Sequence, residues 1–530
     1  MIAIRHLPDG QEIGKTGIRA VKFVDGQLIV TGRRTEVRTQ LSRANDRYSG
    51  INIDLDRPIP LSEIDTKYGV GIDLYSFTTG REVDAIGLAD FVRADAAGMK
   101  RVVLADPNYV VAAPDHGVPA QALGSGCGTE VWANPGSGEA SPIGGSAAPF
   151  LPEGGATPAQ GFCGQWAFGP AIMGGINLTG RPRDLPGAEN SQIIILDTSP
   201  WERPGRAIFS GDGWATPALD ICVELPTDVR LTMTEACKKA LFYQGDHGLF
   251  VAGLAHAVAP ASSIHLLRVL NEHGIGLIAG IIHTLEGLDR QQLADRHTVI
   301  NLSLGMTPIA LYQPIGLKRY CNRLVEEKMI ERCDLASIYS KVDELTRQLT
   351  PEQFKQMTDE WQSIEWVLHD LGQSGVVIAA AAGNQSGRIA ASPAEAPASF
   401  AYDTMCYPNM LAVAATTHDR ERAFYSNAGT IAAPGGGGNR QNPWDLSTDW
   451  LVSVAYLDDL QGGRCFSYGR WEGTSFATPL VSGMAAEALS GAAGQTPPER
   501  AANAVLQVMT QVSQPISNPL GQLGEGIITF

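Results

Sequence analysis

Several signatures are missing from this chain, and each absence removes a class of function. Its eight cysteines form no Cys-x-x-Cys pair and no His-Glu-x-x-His occurs, which takes away the common zinc and thioredoxin-like readings. No metal and no cofactor are indicated. No apolar run reaches the roughly 20 residues that span a bilayer, so no membrane partner is expected, and Met1–Gly10 lacks the apolar centre of a secretory signal. Taken literally, that places the chain in the cytoplasm; secretion is the alternative if the true start or a signal is missing. Reduced thiols are the expected state there, although the even count leaves Cys222/Cys237 and Cys321/Cys333 open as local disulfides. Positive charge is scarce too: 40 Lys and Arg stand against 56 Asp and Glu, a net charge of −16, with no basic block. Nucleic acid is excluded as a partner, because nothing gathers the cations that displace counterions from phosphates. The stretch from Gly10 to Gly14-Lys15-Thr16 looks like a phosphate loop but is one residue short and follows no apolar strand.

What the chain does have is apolar mass and a few chemically pointed stretches. At 530 residues and 44% hydrophobic it can bury a large core in more than one domain. The stretch to which the others relate is Gly473-Thr474-Ser475-Phe476-Ala477-Thr478-Pro479, just ahead of the Ala/Leu-rich run Leu480–Leu489. A serine at a helix start sits among unpaired backbone N–H groups and the positive end of the helix dipole, which favour developing negative charge. Ser475 is the candidate nucleophile, a helix cap being the ordinary alternative for such a residue. Pro479 has no N–H, so the carbonyl of Ser475 lacks its helical partner.

A nucleophilic serine needs a base within hydrogen-bond reach and a carboxylate to orient that base. Gln192-Ile193-Ile194-Ile195-Leu196-Asp197-Thr198 reads as an apolar strand ending in an acid, and parallel sheets assemble their sites at the carboxyl ends of strands. Gly245-Asp246-His247-Gly248-Leu249-Phe250-Val251-Ala252-Gly253 puts a histidine at the head of a small-residue helix. Asp197 is the candidate orienter and His247 the candidate base. With Ala380-Ala381-Ala382-Gly383-Asn384 between them and Ser475, the co-ordered motifs resemble those of the subtilisin-like serine peptidases over about Gln165 to Leu489. That resemblance implies a serine endopeptidase acting on polypeptides through an acyl-enzyme on Ser475. It also implies that Asn384 donates to the oxyanion. Substrate would lie along Ser303-Leu304-Gly305 as an added strand, with Ala381-Ala382-Gly383 opposite. Walls of such small residues predict a roomy pocket that tolerates large apolar side chains. The chain departs from the family pattern at Leu249-Phe250, where threonine and histidine are usual, so different helix packing is expected there. The calcium loop common after the family histidine is also not expected, since Val251–Pro260 proceeds directly onward.

The fold expected is α/β, a doubly wound, mostly parallel sheet, preceded by a small α+β domain. Residues 1–111 form that first domain, with strands at Ala20–Val24, Gln27–Thr31 and Ile72–Thr78, a helix around Ala85–Ala97 and a strand at Arg101–Leu104. Its tail, Val102–Val111 with Asp106-Pro107-Asn108-Tyr109, resembles the end of the inhibitory prosegments of the same family; a strand ending in a Pro-Asn turn is the alternative. Residues 112–164, rich in Gly, Pro, Ala and Ser, read as a linker. Residues 165–530 are the catalytic domain, with strands at Gln192–Leu196, Ile264–Val269, Val299–Leu302, Val376–Ala380 and Leu411–Ala415 and helices at His247–Val258, Gly276–Leu288 and Ser475–Leu489. A charged helical insertion at about 308–349 walls the cleft, binds a partner or decorates the surface. After it, Thr350-Pro351-Glu352-Gln353 reads as a capping box, followed by Phe354, Met357, Trp361, Ile364, Leu368 and Leu371 at helical spacing.

Overall fold

The computed structural model describes residues 2–6, 20–112 except 66–68 and 79–82, 148–149, 165–199 except 172–174 and 179–189, 205–209, 219–224, 246–305 except 272–273, 339–341, 347, 350, 363–437 except 387–390 and 405, 450–513 except 459–463 and 495, and 523–529. Most of the expected linker, most of the insertion, Pro351–Gln353 of the expected capping box and the stripe residues Phe354, Met357 and Trp361 lie outside the described residues. So do Cys237, Cys321, Cys333 and the side chain of Cys222.

The N-terminal part is an antiparallel sheet of β1 (Ile2–His6), β2 (Ala20–Arg33), β3 (Asn52–Ile53), β4 (Ile59–Asp65), β5 (Val70–Thr78) and β6 (Val103–Ala112). Packed against it are α1 (Arg34–Arg47) and α2 (Ala85–Gly98). α2 lies where expected, its start fixed by Asp84, whose side chain accepts from Gly87 N at 2.8 Å. α1 was not expected. Only Val37, Gln40, Leu41 and Ala44 are buried, a thin stripe at helical spacing in a run otherwise polar or charged. β6 is longer than Arg101–Leu104 and continues straight through Asp106-Pro107-Asn108, where a turn was the alternative.

The second part is a ten-stranded sheet in the order β19-β20-β16-β15-β14-β13-β8-β11-β10-β9. Before it comes the short β7 (Ala148–Pro149), which joins β17 (Leu451–Asp458) and β18 (Arg464–Trp471) in a third sheet. The ten strands are β8 (Gln192–Asp197), β9 (Gly205–Phe209), β10 (Leu219–Glu224), β11 (Ser263–Arg268), β13 (Thr298–Leu302), β14 (Val377–Ala381), β15 (Met410–Thr416), β16 (Ile431–Pro434), β19 (Val512–Ser513) and β20 (Ile527–Ile528). All neighbours pair in parallel except the two edge pairs, β9 with β10 and β19 with β20. Central strands read as unbroken apolar runs because both faces are covered: Ile194, Leu196, Ile300 and Ile378 point into one core, Ile193, Ile195, Val299 and Val377 into the other. The chain leaves β8 toward β11 on one side and returns to β13 on the other. β8 is therefore the topological switch, and its carboxyl end is where a site is expected in this architecture.

α3 (His247–Val258), α7 (Thr474–Gly491) and α8 (Pro497–Thr510) serve the second core; α4 (Ile278–Glu286), α5 (Arg290–Asp295) and α6 (Ser363–Gln373) serve the first. The helix expected from Gly276 begins two residues later, because β12 (Ile275–Leu277) pairs with β6: Ile275 faces Ala112, Gly276 faces Val111 and Leu277 faces Val110. That pairing extends the N-terminal sheet onto the catalytic part. Two helix starts are then capped from β6. Asn108 Oδ1 accepts from Ala279 N at 3.2 Å, and Asp106 Oδ2 accepts from Ser363 N at 3.0 Å and Ser363 Oγ at 2.9 Å. Burial holds the Asp106 carboxyl above the usual aspartate range, against the opposing pull of Arg93 and of the Ser363 donors.

Among the described residues of the insertion, Tyr339 is fully buried against the N-terminal sheet. Its hydroxyl donates to Val102 O, its own carbonyl accepts from Arg33 Nη2 at 3.0 Å, and the Arg33 guanidinium lies 5.8 Å from its ring centroid.

Candidate active site

Asp197 closes β8 and is fully buried. Its Oδ1 accepts from Thr198 N at 2.6 Å and meets His247 Nδ1 at 2.7 Å. An ionised carboxylate only accepts, so Nδ1 carries the proton and Nε2 is the imidazole's accepting nitrogen. The strand end and the helix start come this close because residue 248 is glycine: a Cβ there would stand 2.3 Å from Thr198 O and 2.8 Å from Asp197 Cβ. Gly248 N donates to Thr198 Oγ1 at 3.1 Å, which ties the first turn of α3 to the residue after Asp197.

The departure at Leu249-Phe250 has a visible consequence. Phe250 packs on Trp471 at 5.7 Å and on Phe476 at 4.7 Å between ring centroids, and both rings also flank His247, at 5.4 and 5.1 Å. The imidazole thus lies against an aromatic box of three rings, two of which flank it, and one of these, Phe476, is the residue after Ser475. Ser475 is fully buried in the first turn of α7, and its Oγ makes no hydrogen bond among the described residues. Its carbonyl, left without a helical donor by Pro479, accepts from Ser303 Oγ at 2.7 Å. Ser303 Oγ in turn accepts from Asn301 Nδ2 at 2.9 Å, and Asn301 Oδ1 from Ser482 Oγ at 2.9 Å. Ser303, expected along the substrate strand, therefore turns its side chain to the nucleophile's own backbone.

Asn384 follows Gly383, whose φ of +105° is the left-handed conformation that glycine adopts at little cost. Asn384 Oδ1 accepts from Thr474 N at 3.0 Å and Thr474 Oγ1 at 2.9 Å, while Thr474 Oγ1 accepts from Gly383 N at 3.2 Å. The amide oxygen is thereby fixed on the helix start. Thr474 is, with Ser475, the ordinary helix-cap candidate of its motif, but the helix cap is Gly473 with no side-chain cap bond, and the hydroxyl of Thr474 bonds Asn384 and Gly383 instead.

Leu304-Gly305 follows β13, and Ala381-Ala382-Gly383 ends and follows the neighbouring β14; these are the segments expected to wall the pocket. The buried side chain of Glu395 lies against Gly305 and Gly383. The only sequence signal for that residue is a lone acid in the otherwise small and apolar Ala390–Ala398. Among the described residues, no three His, Cys, Asp or Glu side chains are gathered as metal ligands, and no helix is long and apolar enough to cross a membrane.

With this geometry in place, comparison with known proteins identifies the kinship. The model of the Peptidase S8 (subtilase) family matches residues 236–522, just over half of the chain. The chain belongs to the subtilase family. His247, Asn384 and Ser475 fall inside the matched residues, whereas Asp197 precedes them and is tied to the site by its bond to His247. Among subtilases, subtilisin E of Bacillus subtilis is 27% identical over 256 residues, 46% of this chain and 45% of that protein. Subtilisin of Bacillus pumilus is 27% identical over 256 residues, 46% of this chain and 63% of that protein. The chain thus spans less than two thirds of the length of these curated relatives. A solved protease structure from Pseudoalteromonas arctica aligns with a TM-score of 0.40 at 19% identity, over 71% of this chain and 97% of that one.

Proposed function

We propose that this subtilase is a serine endopeptidase. The observation that carries the reading is the buried pair of Asp197 and His247 at 2.7 Å, set against the helix start that bears Ser475. In this reading His247 Nε2 takes the proton of Ser475 as Oγ attacks a peptide carbonyl, and Asp197 holds the ring in the needed tautomer and stabilises the imidazolium. The tetrahedral oxyanion is met by the Asn384 amide and the Ser475 backbone N–H. His247 then protonates the leaving amine, and water releases the acyl group by the same steps in reverse.

The N-terminal domain, residues 1–111, acts as a prosegment in this reading. Its support is the run of β6 onto β12 and the caps that Asn108 and Asp106 place on α4 and α6. Residues 112–164 would be the linker and 165–530 the catalytic domain. The partner of the insertion at 308–349 is then the chain's own N-terminal domain, a reading supported by the burial of Tyr339 against Val102 and Arg33.

An alkyl fluorophosphonate probe tests the chemistry, since only an activated serine reacts with it. Wild type should label at a single site, and Ser475→Ala should not label while keeping the same far-UV spectrum. Equal labelling of the two proteins would refute the assignment of Ser475.

A further inference from the structure

Asn384, the proposed oxyanion donor, stands in a loop whose two flanks are both held by one residue from far along the chain. Asn427, in the segment between β15 and β16, is fully buried. On the flank before Asn384, Asn427 N donates to Gly383 O at 2.9 Å and Asn427 Nδ2 donates to Ala382 O at 3.0 Å. On the flank after it, Asn427 Oδ1 accepts from Gln385 N at 3.2 Å and from Ser386 Oγ at 2.8 Å, while Nδ2 also donates to Gln385 Oε1 at 2.9 Å. The amide thus uses both of its N–H groups and both lone pairs of its oxygen. A Cβ on Gly383 would stand 2.5 Å from Asn427 Nδ2, so the left-handed turn that leads into Asn384 is built against this amide.

The same segment reaches the helix start that bears Ser475. The Tyr425 hydroxyl donates between Gly435 O at 2.8 Å and Gly436 O at 2.7 Å, and Gly435 O also accepts from Gly473 N at 2.9 Å, the cap of α7. Ser386 N donates to Tyr425 O at 3.0 Å. Tyr425 and Asn427 therefore lie between the Asn384 loop and the first turn of α7, which Asn384 itself bonds through Thr474. Resting on the peptidase reading above, we infer that Asn427 is a positioning residue for the reaction, acting through Asn384 by fixing the turn from which that amide meets the oxyanion.

The physical reason is geometric. A transition-state donor works only at about 2.7–3.1 Å from the place the oxyanion will occupy, and a misplacement on the order of 1 Å can cost about 10²-fold in rate. A loop that turns through a left-handed glycine has no regular ladder to hold that distance, so the holding falls to side-chain bonds. Only a side-chain amide donates twice and accepts twice, which lets one residue grip the chain on both sides of Asn384. Alanine at 427 keeps the backbone bond to Gly383 O and releases the other four.

Steady-state kinetics of Asn427→Ala on one fluorogenic peptide, alone and in an Asn384→Ala background, test this. Alone, kcat should fall about tenfold or more with KM nearly unchanged, a part of the roughly 10²–10³-fold expected for removing the donor itself. In the Asn384→Ala background the same substitution should lower kcat by less than about twofold, because the group it positions is already gone. A merely structural asparagine would lower activity by the same factor in either background. That equal loss overturns the inference, and so does a loss mainly in KM or an undiminished kcat in folded Asn427→Ala. If Asn427→Ala does not fold, Ser386→Ala, which removes one bond to Asn427 Oδ1, gives the second measurement. A smaller fall in kcat that vanishes in the Asn384→Ala background supports the role; an equal fall in both backgrounds, or none, counts against it. Fluorophosphonate labelling of wild type separates this from the broader reading. Labelling together with equal losses in the two backgrounds sinks only the role of Asn427, whereas no labelling removes the peptidase reading and this role with it.

Discussion

On one face of the ten-stranded sheet, α4 and α6 are covered by the N-terminal sheet, so that Leu28 and Val103 share a continuous core with Ile282 and Leu368. On the other face, α3 and α7 pack with Ala252, Ala255, Ala477 and Ala485 against Val299, Val377 and Ala379, and the large side chains concentrate in the aromatic box around His247. The first face is joined by apolar area, a short antiparallel ladder and two helix caps. The second is joined by close approach of small residues and by bonds with defined direction, from His247 to Asp197, Thr474 to Asn384 and Ser303 to Ser475. Area tolerates small displacements; directed bonds do not. In the proposed reading attachment belongs to one face and chemistry to the other, and substitutions on each should separate the two.

The largest effect is expected on the chemical face. In the proposed reading Asn384→Ala removes an oxyanion donor, and kcat should fall about 10²–10³-fold with little change in KM, the range known for such donors and about 3–4 kcal/mol. Steady-state kinetics on one peptide decide it. A change mainly in KM would move Asn384 from transition-state stabilisation to substrate binding.

Next comes the attachment face. Tyr339→Ala empties a fully buried aromatic site, at a cost of about 3 kcal/mol by analogy with other buried aromatics. Urea unfolding in a Ser475→Ala background should show the loss, and limited proteolysis should free the N-terminal domain sooner. In the otherwise wild-type chain, early hydrolysis of a small peptide should rise, because the domain leaves more readily. A loss of stability together with a loss of activity would show that the insertion supports the catalytic face after all.

The smallest effect, and the sharpest in sign, concerns Asp106. Its carboxyl is raised chiefly by burial, so folding favours its protonated form. The stability it contributes is complete below the ordinary aspartate value, about 3.9, and is lost as pH climbs through the raised value. Asp106→Asn should therefore flatten the stability profile between about 3.9 and the raised value. Urea midpoints for the two proteins, both carrying Ser475→Ala, would cross or converge toward acid. Parallel profiles would remove Asp106 from the pH dependence of the interface.

How much of this was legible in the sequence depends on how local each signal is. β8, β13, β14 and β15 were readable because burial on both faces demands unbroken apolar runs. α1 was not, because three apolar residues suffice when the sheet beneath supplies the rest of the core. α8 was also missed, although Thr496 and Glu499 make the reciprocal cap already noticed in the pattern at Thr350-Pro351-Glu352-Gln353. At the site, each proposed catalytic group sits in its own motif and could be found one at a time. The contacts of Thr474 and Ser303 exist only between segments that meet in the folded chain, and no window of sequence holds both partners.

The bond from Ser303 to the carbonyl of Ser475 has a consequence for local opening. A helix that satisfied all its own carbonyls could fray or close its first turn independently, but here the missing donor at Pro479 is replaced from the end of β13. The first turn of α7 and the exit of β13 thus share one opening equilibrium. Native-state amide exchange should show residues 476–478 and 302–304 exchanging with a common free energy, distinct from that of the helix beyond Leu480. The serine is then held in place by a neighbour's stability as much as by its own helix, and whatever orders that strand end orders the nucleophile with it.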